Sequence, residues 1–280
     1  MRHTADEASL EPLTPGPSRA PWIAAALLAL AAAAAAYVLF RSPSSEPATV
    51  AAPKPAPAES PQLLQPLGGD APPILLPPLD ESDALVADLV RKLSTHPRVV
   101  AWLTTEGLLR NFAVVVLNIA EGKAPSQLLR PLRPSSGFRV VERNHELLVD
   151  PRSDERYTAL ADAVVSIDAK GSATLYATLR PRIEDAHREL GELNTPFDRT
   201  LERALVMLLR TPVPDGPVRV EPRGIGYGFA DPQLEALTAA QKQLLRMGPK
   251  NARAIQAKLR EIALALGIPL QRLPAATSRD

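Results

Sequence analysis

Residues 22–40, beginning at Trp22 and ending at Phe40, form a run of 19 uncharged residues, ten of them alanine, and no other stretch constrains the chain so tightly. As a helix the run would be about 28 Å long at 1.5 Å per residue, close to the roughly 30 Å hydrocarbon core of a bilayer. Its insertion free energy must come from Ile23, Leu27, Leu28, Leu30, Val38, Leu39 and Phe40. At about −0.3 to −0.6 kcal/mol each, these sum to a few kcal/mol. Trp22 and Tyr37 lie toward the two ends, where aromatic rings favour the interface, and Arg19 and Arg41 bracket the run. The expectation is a single transmembrane helix that meets the lipid bilayer of the inner (cytoplasmic) membrane.

Two alternatives stay open. Residues 22–30 could be the apolar core of a cleaved signal peptide, with the alanines behind them as the cleavage region, or the run could be a buried helix of a soluble protein. Against the signal peptide, the preceding residues 1–21 are long for that role and carry Asp6, Glu7 and Glu11. Arg2 and Arg19 precede the run and Arg41 and Lys54 follow it, which tips the orientation slightly toward a cytoplasmic tail at 1–21 and a C-terminal domain in the periplasm or otherwise outside the cytoplasm.

Residues 41–78 read as a Pro/Ala-rich linker. Eleven prolines fall between 42 and 78, so the segment lacks the donors for regular backbone pairing and the apolar content for a core. It is expected to be disordered or polyproline-like, with a reach on the order of 115 Å at about 3.1 Å per residue.

Beyond Leu79 the apolar period becomes helical. Ser82 is placed to cap a helix with Leu85, Val86, Leu89, Val90 and Leu93 on its inner face. Pro97 opens a short helix, and Leu108, Phe112, Val115, Val116 and Ile119 form the stripe of another that ends at Glu121-Gly122. Residues 138–142 and 146–149 flank Arg143-Asn144-His145 as a small β-hairpin. Helices follow at about 154–168, 172–190 with a kink at Pro181, and 196–210 with Thr195 as cap and Pro196 in the first turn. A second hairpin is expected at 218–221 and 225–229. A pair of helices at 234–247 and 249–266, joined at Gly248-Pro249, closes the domain. The fold class expected is therefore mostly α: one N-terminal span, a disordered linker, a helical domain at 79–267 with two small β-hairpins, and a C-terminal tail at 268–280.

Charge names no partner, because the net charge is only +1. The absence of cysteine excludes disulfides and thiolate chemistry. Glu184-x-x-His187 on a helix is half of a di-iron motif and Glu142-x-x-His145 repeats the spacing in a hairpin; a solvated helix face explains the first more simply. Asp150, Asp162 and Asp168 are carboxylates near apolar positions, for which helix caps or arginine partners are the simpler explanation. No nucleophile elbow, phosphate loop or metalloprotease motif occurs, and no cofactor or metal is expected.

Gly224-Ile-Gly-Tyr-Gly-Phe lacks the spacing of a dinucleotide loop and reads as a twisted ribbon with Tyr227 and Phe229 on the core, or else as a binding loop. From Lys242 to the end the chain carries eight Lys/Arg against two Asp/Glu. Lys242, Arg246, Lys250 and Arg253, with Tyr227 and Phe229, are the candidate partner-binding residues. The stretch from Leu244 to Ile255 faintly resembles a helix-hairpin-helix, but the tight glycine pair of that motif is missing and nucleic acid is not expected as a partner.

Pro78-Leu-Asp-Glu-Ser-Asp, Asn118-Ile-Ala-Glu-Gly, Tyr227-Gly-Phe-Ala-Asp-Pro and Gln241-Lys-Gln-Leu-Leu-Arg-Met-Gly-Pro resemble a bacterial family filed as a domain of unknown function, number 3014. The resemblance spans roughly residues 79–266. It implies a membrane-anchored bacterial protein and brings no activity or catalytic residues with it. The functional expectation is a non-enzymatic interaction or scaffold module of the cell envelope, meeting an envelope protein or a cell-wall polymer. An envelope hydrolase with an unrecognised carboxylate pair is the alternative.

Overall fold

The computed structural model describes residues 65–70, 74–125, 133–134, 136–224 and 226–275. The expected tail at 1–21, the transmembrane run at 22–40 and the linker up to residue 64 lie outside the described residues. Among the described residues no helix is long and apolar enough to cross a membrane.

Short 3-10 turns bound the described elements at Leu79–Glu81 and Leu270–Arg272. Between them the order is α1 (Asp83–Arg91), α2 (Pro97–Trp102), α3 (Leu108–Ala120), β1 (Val140–Arg143), β2 (Glu146–Val149), α4 (Pro151–Glu155), α5 (Thr158–Val165), α6 (Ala169–Glu189) and α7 (Phe197–Leu209). It continues with β3 (Val220–Arg223), β4 (Gly226–Phe229), α8 (Pro232–Glu235), α9 (Ala239–Leu245) and α10 (Pro249–Ala265). The domain is mostly helical with two small antiparallel hairpins, as the periodicity led one to expect.

The main core lies where α3, α6, α7 and α10 meet. Leu108, Ala113, Ile183, Ala186, Phe197 and Leu205 are buried there, and Phe197 stacks with Tyr176 and meets Phe112 at a tilt, at centroid distances of 6.3 and 5.6 Å. A second, smaller core joins Ala161, Val213, Phe229, Leu234, Leu244 and Ile255. Leu259 on α10 touches both, so this helix ties the two halves together.

Helix ends follow from side-chain caps, and some differ from the sequence expectation. Asp168 accepts from Lys170 N and Gly171 N at 3.2 and 2.9 Å and starts α6, which then runs through Pro181 to Glu189. Ser82 stands at the cap position before α1, but its side chain does not cap the helix; its hydroxyl donates back to Leu79 O at 2.7 Å. Asp83 instead caps α3, accepting from Gly107 N and Leu108 N at 2.6 and 2.8 Å. Pro196 is the residue before α7, and Glu184 Oε1 takes the Phe197 amide at 2.8 Å in place of the Thr195 cap that was expected.

Two helices expected to be continuous are broken. The one read at 154–168 is α4 and α5, because Asp150-Pro151 starts a helix earlier and Arg156 folds back to donate to Ser153 O at 2.8 Å. The one read at 234–247 is α8 and α9, because Thr238 with Gln241 makes a reciprocal capping box that restarts the chain.

The two hairpins are not separate ribbons. Leu148 and Arg219 form an antiparallel bridge, Val149 N donates to Val218 O at 3.0 Å, and Arg219 pairs with Glu146 at 2.7 Å. Two isolated hairpins would be marginal, and this edge-to-edge joint lets each support the other. Asn144 and His145 take positive φ of 51° and 62° at the first turn, the geometry a two-residue hairpin demands.

Both ends of the body extend past the boundaries expected at 79 and 267. Leu67 N donates to Asp198 Oδ2 at 3.0 Å, Gly68 N to Leu266 O at 2.9 Å, and Arg182 donates to Pro77 O and Leu76 O at 2.8 and 3.3 Å. Part of the stretch read as linker is thus a strap held on the helices. At the other end Ile268 and Leu273 are buried in the main core and Arg272 pairs with Glu202 at 2.8 Å, so the first part of the stretch read as tail is folded.

The helices do not close fully on one another. A cavity of about 330 Å³ runs between α1, α3, α6, α7 and α10, with nearly all of its wall apolar.

Candidate functional site

The concavity that brings most chemistry together is a cleft of about 540 Å³ between the joined hairpins and the α9–α10 turn. One wall comes from the sheet, with Val149, Val220, Tyr227 and Phe229, and is extended by Phe138. Arg156 stands beside Phe138, and the other wall carries Asp154, Arg246, Gly248 and Pro249.

Burial rises along β4, from exposed Gly226 and Tyr227 at its start to buried Gly228 and Phe229 at its end. Phe229 is 7% exposed and belongs to the second core, whereas Tyr227 is 41% exposed, so only the first of these two rings packs inward as expected. Tyr227 tilts against Phe138 at 5.7 Å between centroids, and the Arg156 guanidinium lies 5.6 Å from the Phe138 ring centre and 4.9 Å from that of Tyr157. A second arginine bond, from Arg156 to Ser136 O at 3.1 Å, fixes that side chain in place. The result is an aromatic lip with a cation stacked on it.

On the facing wall Asp154 is pressed onto the start of α10. Gly248 has φ 86°, and a Cβ at that position would overlap the Asp154 carboxyl carbon. Asn251 locks the approach by donating to Asp154 O and Met247 O at 2.9 and 2.8 Å. Burial pushes the Asp154 carboxyl up to about 6, only partly opposed by the charge of Arg156. Asp154 is the one acid among the residues lining this cleft.

Of the six residues singled out from the sequence, Tyr227, Phe229 and Arg246 line the cleft. Lys242 and Arg253 are engaged elsewhere. Lys242 pairs with Glu235 at 2.9 Å and donates to Glu235 O at 3.0 Å; Glu235 Oε2 also takes the Phe229 amide at 2.9 Å, and this set holds the Glu235 pKa below the carboxylate range. Arg253 pairs with Asp215 and donates to Pro214 O at 2.9 Å. Lys250 is exposed in the first turn of α10. The cationic run of the sequence is thus not one continuous face.

The remaining candidates have structural duties. Asp150 and Asp168 are helix caps and Asp162 is exposed. Glu184 caps α7, and His187 is fully buried with Nε2 3.4 Å from Thr200 Oγ1, edge-on to Phe197; desolvation lowers its pKa. Glu142 and His145 lie exposed at the first hairpin turn, 3.9 Å apart. Among the described residues no group of three or more His, Cys, Asp or Glu is arranged around a common point. Sequence reasoning missed Phe138, Asp154 and Arg156. Gly248 was the signal for Asp154, since a glycine at a tight turn also permits a neighbour's close approach.

Neither a curated protein nor a solved structure matches the chain. A family model described as "Protein of unknown function (DUF3014)" matches residues 108–263, which takes in α3 through nearly all of α10 and both walls of the cleft. That match covers more than half of the 280 residues, and the chain belongs to the DUF3014 family.

Proposed function

We propose that this is a single-span envelope protein of the inner membrane whose helical body is a binding module, held outside the cytoplasm by the proline-rich tether and presenting the cleft to a cell-wall polymer or an envelope protein. The observation that carries the binding reading is the cleft itself: an exposed Tyr227–Phe138 lip facing Arg246 across about 540 Å³. Concave sites that join aromatic surface to a few placed polar groups are built to hold a ligand.

A photo-crosslinking residue at position 227, compared with one at the exposed Arg91, tests this in intact cells. Discrete adducts at 227 that vanish with Arg246→Glu support it; equal adducts at both positions argue against it. Placement is tested separately by a C-terminal reporter active only outside the cytoplasm. Full complementation by a version lacking residues 2–64 and retained in the cytoplasm would sink the envelope reading.

A hydrolase is the second reading, and the raised pKa of Asp154 in the cleft is the observation that favours it. A carboxyl poised near neutrality suits a general acid. Unchanged function in Asp154→Asn disposes of this reading.

A further inference from the structure

Apart from the cleft, we propose that the cavity inside the helical body is a binding site for one acyl chain of a lipid, inserted methyl end first with its polar head left in solvent. The volume is about 330 Å³, roughly twice that of an engineered apolar cavity that holds benzene, so it fits on the order of a dozen carbon atoms. The walls are leucine, isoleucine, valine and aromatic side chains, among them Phe112, Leu175, Leu259 and Ile262. These four lie on inward stripes of their helices yet remain only half-buried.

The two wall serines, Ser94 and Ser172, lie where the chain after α1 meets the start of α6, joined there by Asp168 N donating to Leu93 O at 3.3 Å, and the Tyr176 hydroxyl, also in the wall, is spent on Asp198. Their hydroxyl protons are committed. Ser172 donates to Asp168 O at 2.6 Å. Ser166 donates to Ala163 O at 2.7 Å, so in the 2.7 Å Ser94–Ser166 pair Ser94 is the donor. No arginine, lysine or histidine lines the wall. A carboxylate or phosphate drawn inside would find no countercharge in the wall, whereas a hydrocarbon chain needs none. Recognition therefore rests on the chain, and a polar head belongs outside.

The test uses the full-length protein reconstituted into phosphatidylethanolamine vesicles that carry a diazirine-labelled acyl chain on a fraction of the lipid, followed by irradiation and peptide mapping. Labelling of peptides from α3, α6 and α10 is expected. Ala204→Phe and Ser172→Phe each place a ring in the cavity, and labelling of those peptides should fall to background in whichever variant keeps the wild-type circular dichroism. Adducts confined to residues 22–40, or undiminished labelling in a folded variant, would overturn the proposal. A diazirine-labelled free fatty acid in a parallel arm separates the sources: labelling by it alone, with none from the phospholipid, also overturns it.

Discussion

At the scale of single residues, two carboxylates with opposite shifts make opposite predictions. Asp154 has its pKa raised from 3.8 to about 6, so the folded state holds the proton more firmly and its contribution to stability falls as pH rises from about 4 through 6. Asp154→Asn is expected to stabilise the domain above pH 6 by on the order of 1 kcal/mol, discounted for partial solvation, with the gain shrinking toward pH 4. Denaturant midpoints across that range check it. Glu235 is shifted downward by Lys242 and the Phe229 amide, so its contribution is present above its ordinary 4.5 and disappears as pH falls through the lower folded value. Glu235→Gln should cost about 1–2 kcal/mol at pH 7, the usual loss for a charge-assisted bond, and the gap to wild type should close in acid.

At the scale of elements, Gly248 decides how α10 meets α4. Gly248→Ala combines a positive φ with overlap onto Asp154 and should cost about 1–3 kcal/mol. In Asp154→Gly, which removes the Cβ as well as the carboxyl, the overlap is relieved, so the double variant should lose less than the two single losses added together, as a four-member unfolding cycle would read. The same scale shows what the amino-acid pattern could reveal. Long amphipathic stripes such as that of α3 were legible because one face of a helix repeats its apolar residues over three turns. The short helices were not. His96-Pro97, Asp150-Pro151 and Asp231-Pro232 each join a capping side chain to a proline in the first turn, and only the first of the three was read as a start. The bridge between hairpins was hidden for another reason: strand partners some seventy residues apart leave no local trace. Half of the cleft was legible through Tyr227, Phe229 and Arg246. The other half depends on Phe138 and Asp154, which reach the cleft only through tertiary packing.

At the scale of the molecule, the body gains its coherence from α10, which packs on α5, α6 and α7. Against that coherence stands the internal cavity. Left unfilled, it denies the side chains of its wall their van der Waals partners on one side. An acyl chain offsets that loss by restoring wall contacts.

The strap formed by residues 65–70 and 74–79 has a mechanical consequence. It is held at Leu67 and Gly68 by Asp198 and Leu266, then again near Leu76 and Pro77 by Arg182. Tension arriving from the N-terminal side would load those few bonds in sequence, well before the helix bundle feels any pull. In optical-trap stretching between the N-terminus and the body, we expect an early, low-force, reversible step of about 40 Å, the contour between the holding points at residues 67 and 77 at about 3.5 Å per residue. Asp198→Ala, which also frees Tyr176, should lower the force of that step while leaving the main rupture in place. A chain that yields in this order would behave as a spring with a safety clip, taking up slack before its folded core is put at risk.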